Sequence, residues 1–296
     1  MLDDILSTYA PRPFIVITGP TASGKTSLAI ELAERYSGEI ICADSRTVYR
    51  DMDIGSAKPS HEDRSRVPHH LLDIAHADVV YTAADFKRDA LAAIRDIYER
   101  GKIPFVVGGS GLYIDGLLLD YRFGPRAHES LRKQQGNVSI DDLKVMLKNQ
   151  HIEIPQNHNN RRYLVRALEQ GGVNKQRSNV LSDQIVVVAI ATDKQKLEAR
   201  IRARADEIFA APIIEEAKTL ALRYGWEHES MSGNIYRIIK RLIDGELSLL
   251  DAKELFVIKD RQLAKKQITW LKRREYVQWR SLNDARVYLS EILERS

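Results

Sequence analysis

Short apolar runs and helical stripes alternate along the N-terminal part of the chain. Phe14 to Thr18 is a β-branched run that breaks into Gly19-Pro20-Thr21-Ala22-Ser23-Gly24, and helical spacing follows at Leu28, Leu32 and Ala33. Gly38 stands where a helix cap is expected, and Ile40 to Ala43 form a second apolar run that stops at Asp44. A polar, turn-rich segment then runs to about Tyr81. Thr82 and Asp85 make a capping box for a helix whose apolar face carries Phe86, Leu91, Ile94 and Ile97 and which ends at Gly101. Ile103 to Val107 is the next buried-type strand, closed by Gly108-Gly109. Parallel strands need helical crossovers, so this alternation predicts an α/β fold with a parallel sheet flanked by helices.

The alternation lapses between about Asp120 and Ser182, a stretch rich in Asn, Gln and Arg, with weak helical spacing at Leu143 to Leu147 and Arg162 to Leu168. This predicts an inserted helical subdomain, residues 120–182, in a core formed by 1–119 and 183–296. Ile185 to Ala191 restores a core strand. Beyond it the chain reads as largely helical, with Ser248 and Asp251 capping a long helix that runs toward Trp270.

Composition narrows the picture little. The 296 residues hold 45 Lys and Arg against 41 Asp and Glu, an excess that permits a polyanionic partner without demanding one. The single cysteine, Cys42, excludes an internal disulfide framework. Neither a membrane-spanning apolar stretch nor a basic-then-apolar leader is evident, so a cytoplasmic location and no membrane partner are expected. A monomer is expected.

The chemistry begins at Gly19 to Thr26, which matches G-x-x-x-x-G-K-T between a strand and a helix. Backbone amides and a helix N-terminus suit the loop to a diphosphate, Lys25 would neutralise oxygens, and Thr26 would ligate a magnesium ion. A nucleotide triphosphatase also needs a second acid at a strand end. Ile103 to Val107 ends in glycines instead, and the available acid is Asp44, in Asp44-Ser45-Arg46-Thr47-Val48-Tyr49. Ligands of open α/β sheets sit beyond the carboxyl ends of the strands, so Asp44 is expected to face the bound phosphates as a general base. Capping a turn or pairing with Arg46 is its structural alternative. Gly108 to Tyr113 offers close backbone approach and the Ser110 hydroxyl. Pro68-His69-His70 lacks the spacing of a zinc site and reads as hydrogen-bonded structure.

These motifs stand in order with Gly55 to Pro59, Val67 to Asp73, and Arg261 to Gln267 followed by Thr269-Trp270. Together they resemble the bacterial-type tRNA dimethylallyltransferases, the tRNA isopentenyltransferases, over about Phe14 to Trp279. The resemblance implies a P-loop NTPase-like fold. It also implies transfer of a dimethylallyl group from its diphosphate to the exocyclic amine of the adenosine 3′ of the anticodon. Asp44 then matches the general base, Ser110 a hydroxyl on the diphosphate bridge, and Arg261 an arginine that binds diphosphate. Residues Asp44, Ser45, Arg46 and Thr47, and the helix Arg162-Tyr163-Leu164-Val165-Arg166, match segments that contact tRNA. Thr47 stands where glutamine is commoner, the insertion is shorter than usual, and no Cys/His zinc extension follows Trp279.

Charge placement points the same way. Eight basic residues between Lys259 and Arg280 face two acids, with Trp270 and Tyr276 interleaved, and Arg161, Arg162 and Arg166 lie in the insertion. Both sets suit a polyanion. Other readings stay open. One is a small-molecule kinase that uses Asp44 on a hydroxyl, with the Arg200, Arg202 and Arg204 cluster in the place of a lid. The others are an adenylate isopentenyltransferase acting on a free nucleotide and a non-catalytic RNA-binding module.

Overall fold

The computed structural model describes residues 1–124, 138–155, 157–171 and 181–295. Six parallel strands form one sheet: β1 (Phe14–Thr18), β2 (Gly38–Cys42), β3 (His69–His70), β4 (Ile103–Gly108), β5 (Ile185–Ala191) and β6 (Gln278–Ser281), in the order β3-β2-β4-β1-β5-β6. All five residues of β1 and of β2 are buried, as parallel strands covered on both faces must be. Because β4 lies between β1 and β2, the loops leaving the carboxyl ends of these three strands adjoin one another.

Helices α1 (Leu2–Thr8), α2 (Lys25–Arg35), α3 (Asp53–Ser56), α4 (His61–Arg66), α5 (Ala83–Glu99) and α6 (Gly111–Leu118) belong to the first half of the chain. The Thr82 capping box of α5 forms as the sequence predicts, with Thr82 accepting from the Asp85 amide and Asp85 accepting from the Thr82 amide. Leu28, Leu32 and Ala33 of α2 pack with Ile15 and Ile17 of β1, Ile40 of β2 and Phe105 of β4 in one cluster. Gly38 is not a cap. Helix α2 ends at Tyr36, and Gly38 opens β2 because a Cβ there would lie 2.3 Å from the Phe105 ring.

The chain divides into two compact units, Met1–Leu117 with Leu181–Ser296, and Leu118–Val180. In the smaller unit, α7 (Ile140–Asn149) and α8 (Arg161–Glu169) pack through Leu143, Leu147, Leu164 and Leu168. The rest of the insertion expected at 120–182 falls partly outside the described residues. The larger unit continues with α9 (Lys194–Ala210), α10 (Ile213–Tyr224), a 3-10 turn (Glu229–Ser232), α11 (Asn234–Ile243), α12 (Leu249–Leu271) and α13 (Leu282–Glu294). Helix α9 leaves the carboxyl end of β5. It packs with α10 to α12 and with Val48, Tyr49 and Met52 in a second core.

Candidate active site

A cleft of about 930 Å³ opens at the carboxyl ends of β1, β4 and β2. Thr21, Ala22, Gly24, Lys25 and Thr26 line it from the first loop; Asp44, Ser45, Arg46 and Thr47 from the second; and Gly108, Gly109 and Ser110 from the third. Gly19, Pro20 and Ser23 shape the first loop without lining the cleft. Gly24 turns the chain into α2 at φ +89°, a left-handed conformation in which a side chain is strained. The Lys25 Nζ donates back to the Pro20 carbonyl at 3.2 Å. Burial among protein atoms lowers the pKa of this amine to about 8, against the pull of the Asp44 carboxylate and with the help of the Arg204 charge.

The second and third loops are tied together. A Cβ on Gly108 would sit 2.0 Å from the Ala43 carbonyl, so only glycine allows this approach. Ser110 donates its amide to the Ala43 carbonyl at 3.2 Å, and its hydroxyl accepts the Ser45 amide at 3.0 Å. Asp44 lies between these two contacts. Its Oδ1 accepts the Arg46 amide at 2.8 Å, an Asx turn that fixes the carboxylate, while Oδ2 takes no hydrogen bond from the described residues. The Arg46 guanidinium turns away from Asp44, donating to the Glu229 and Ser230 carbonyls and the Ser232 hydroxyl.

Arg261 departs from expectation. It is exposed, pairs with Glu198 at 3.4 Å, and lines a different groove with Lys194, Lys265 and Lys272. The reason is helical phase: on α12 the residues that face the cleft are Phe256, Asp260, Leu263 and Gln267, and Arg261 is one step out of that register. The arginines at the phosphate loop come instead from α9. Arg200 donates to the Ser23 carbonyl at 2.9 Å, and Arg204 donates to the Thr21 hydroxyl. Their spacing of four on a helix that follows the carboxyl end of a core strand is the signal in the sequence.

The basic run 259–280 is likewise divided. Lys265, Lys266, Lys272 and Arg273 are exposed, but Arg274 donates from Nε to the buried Asp115 carboxylate at 3.0 Å, and Arg280 stacks 3.7 Å above the Tyr288 ring. In the smaller unit, Arg162 and Tyr163 are exposed on α8, Val165 and Arg166 are half-buried, and Leu164 is core. His69 hydrogen-bonds the Val67 carbonyl and His70 the Glu39 carboxylate, and among the described residues no cluster of His, Cys, Asp and Glu suits a metal.

Several buried polar atoms at the loop and cleft have no hydrogen-bond partner among the described residues: Ser23 Oγ, Thr47 Oγ1, Arg204 Nε and Asp260 Oδ2. Native interiors rarely leave such atoms unpaired, so these atoms suit polar partners that enter the cleft.

The family model described as IPP transferase matches residues 47–274. The chain belongs to the IPP transferase family. It is 40% identical over 277 residues to tRNA dimethylallyltransferase 1 of Citrifermentans bemidjiense, a match that covers 90% of each chain. Its fold matches the full-length tRNA isopentenylpyrophosphate transferase of Bacillus halodurans with a TM-score of 0.72 and 31% identity, over 96% of this chain and 97% of that one. A eukaryotic dimethylallyltransferase solved while acting on tRNA matches with a TM-score of 0.72 and 25% identity, over 88% and 70% of the two chains. The fold is therefore the P-loop-like α/β fold of these transferases. Among the described residues no helix is long and apolar enough to cross a membrane.

Proposed function

We propose that the protein is a tRNA dimethylallyltransferase, which moves the dimethylallyl group of dimethylallyl diphosphate to the exocyclic N6 amine of the adenosine 3′ of the anticodon. One observation carries this reading: the phosphate loop, the Asp44 carboxylate and the Ser110 hydroxyl line a single cleft. Family membership supports the choice of reaction.

The chemistry follows from the groups present. The adenine amine is a poor nucleophile because its lone pair is delocalised into the ring. Asp44 accepts its proton as the new carbon–nitrogen bond forms and the carbon–oxygen bond to the diphosphate breaks, an assistance worth about 100- to 10,000-fold. Lys25, Arg200, Arg204 and the loop amides take up the charge that develops on the departing diphosphate. Ser110 positions the Ser45 amide and with it the Asp44 turn. The adenine leaves its stack to enter the cleft, at a cost of a few kcal/mol offset by contacts to the rest of the RNA.

Thr26 lies beside Lys25 on the first turn of α2 and lines the cleft, so its hydroxyl oxygen suits magnesium, a hard cation that takes oxygen ligands. Bound there, the ion would screen the diphosphate charge. The exposed Arg162 and Tyr163 of α8 are read as tRNA contacts, and a monomer in the cytoplasm is part of the same proposal.

The test is a competition among acceptors. Radiolabelled dimethylallyl diphosphate is mixed with tRNA, AMP or ATP, and label is expected in tRNA alone. Label in a free nucleotide, or phosphoryl transfer from ATP to a small molecule, would overturn the reading.

A further inference from the structure

The side chain of Gln267, half-buried on α12, reaches two loops at once. Its Oε1 accepts the Thr21 amide at 2.8 Å, and its Nε2 donates to the Gly109 carbonyl at 3.2 Å. Thr21 belongs to the phosphate loop after β1, and Gly109 follows β4. These two strands are neighbours whose register ends with Thr18 beside Gly108, and the Thr18 hydroxyl donates to the Gly108 carbonyl at 2.9 Å. Beyond that pair the ladder of strand pairing ends. The Gln267 amide serves there as a side-chain rung, acceptor to one loop and donor to the other. A neutral side-chain amide holds both functions in one rigid group.

The fit around it is close. A Cβ on Gly109 would lie 2.3 Å from Gln267 Nε2, and one on Gly111 would lie 2.5 Å from the Trp270 ring. Residues 267 and 270 are one turn apart, so the same face of α12 is set into the glycine loop. From Gly109 the constraint passes to Ser110, which holds the Ala43 carbonyl and the Ser45 amide on either side of Asp44. A continuous hydrogen-bonded path thus runs from Thr21 through Gln267 and Gly109 to the turn that carries the carboxylate.

We propose that Gln267 is a positioning residue: its amide holds the phosphate loop and the Gly108–Ser110 loop at a fixed separation, so that the diphosphate and the Asp44 carboxylate stay in register. Gln267 acts through Thr21 and Gly109, and its effect is expected on turnover more than on acceptor binding. The proposal rests on the transferase reading. The two fail differently: if the wild-type chain prenylates no tRNA, the transferase reading is wrong, whereas the Gln267 assignment is judged by comparing variants with an active wild type.

The experiment uses the full chain with Gln267→Met, which keeps length but neither donates nor accepts strongly, and Gln267→Asn, which keeps the amide one methylene shorter. Thermal stability, kcat, KM for tRNA and the hydrogen exchange of the Thr21 amide are measured. The Met variant is expected to stay folded, to expose the Thr21 amide to faster exchange, and to lose at least about tenfold in kcat with KM for tRNA within about twofold, since small misplacements of reacting groups are costly. The Asn variant is expected to lie between. A Met variant with kcat within about twofold of wild type would overturn the proposal. So would collapse of both variants on heating in parallel with lost activity, which would make Gln267 a residue of the fold.

Discussion

Arg204 donates to the Thr21 hydroxyl across 183 residues of sequence, which joins the helix after β5 to the loop after β1. The expected diphosphate arginine, Arg261, is paired with Glu198 outside the cleft. Binding of inorganic pyrophosphate separates the two. Arg204→Ala should weaken it by about 10- to 150-fold, the loss of one charged hydrogen bond of about 1.5 to 3 kcal/mol. Arg261→Ala should leave it within about twofold. The reverse pattern in a calorimetric titration would restore Arg261 to the diphosphate site.

Asp44→Asn keeps an oxygen that can accept the Arg46 amide, so the turn at Asp44 should persist. What it loses is the proton acceptor. Turnover measured in a single enzyme-excess cycle should fall at least about 100-fold while tRNA and pyrophosphate still bind. Unfolding of this variant would assign Asp44 to structure, and near-normal turnover would remove it from the chemistry.

The strands at Phe14, Ile103 and Ile185 and the capping box at Thr82 are legible in the sequence because each depends on neighbours within a few positions. The phosphate loop is legible for the same reason, since strand, glycines, Lys25 and helix form one local unit. Strands β3 and β6 are not: His69–His70 and Gln278–Ser281 lack apolar runs and become strands only by pairing with β2 and β5. Arg200 and Arg204 read as a basic cluster without an address, because their partners, Ser23 and Thr21, are far away in sequence. Arg261 shows the converse. A motif can locate a helix and still leave open which of its faces meets the ligand, and that is decided by the packing of α12 against α9 and α11.

Arg162 is exposed on α8, whose apolar side is held by Leu164 and Leu168. If it meets a tRNA phosphate, Arg162→Ala should reduce the slope of log affinity against log salt by about one, and leave pyrophosphate binding unchanged. A salt slope equal to that of the wild type would take Arg162 off the RNA contact surface.

Asp260 is 5% exposed, with Oδ2 unpartnered among the described residues, and burial raises its pKa against the nearby Arg204 charge. A carboxyl whose folded pKa lies above its unfolded value favours the fold fully only below the unfolded value, about 3.9, and this contribution is lost as pH rises through the folded pKa. Asp260→Asn cannot ionise. Its melting temperature should match wild type at the acid end and exceed it at neutral pH. A variant less stable than wild type at neutral pH would show that the carboxylate is held by favourable contacts after all.

Lys25 gives the pH dependence of ligand binding. Its pKa is about 8, lowered first by burial. A bound diphosphate surrounds the amine with negative charge and raises that value, so above about pH 8 binding must be accompanied by proton uptake. Below the free-enzyme pKa the amine is already charged and affinity is independent of this group, whereas above it each pH unit should cost up to about tenfold in affinity until the pKa of the complex is reached. Pyrophosphate binding measured upward from about pH 7.5 in two buffers of different ionisation enthalpy reads both the slope and the protons taken up. Lys25→Met should bind more weakly at pH 7.5 and lose the buffer-dependent heat. A wild-type affinity that stays flat to about pH 9.5, with no proton uptake, would mean that Lys25 does not contact the diphosphate.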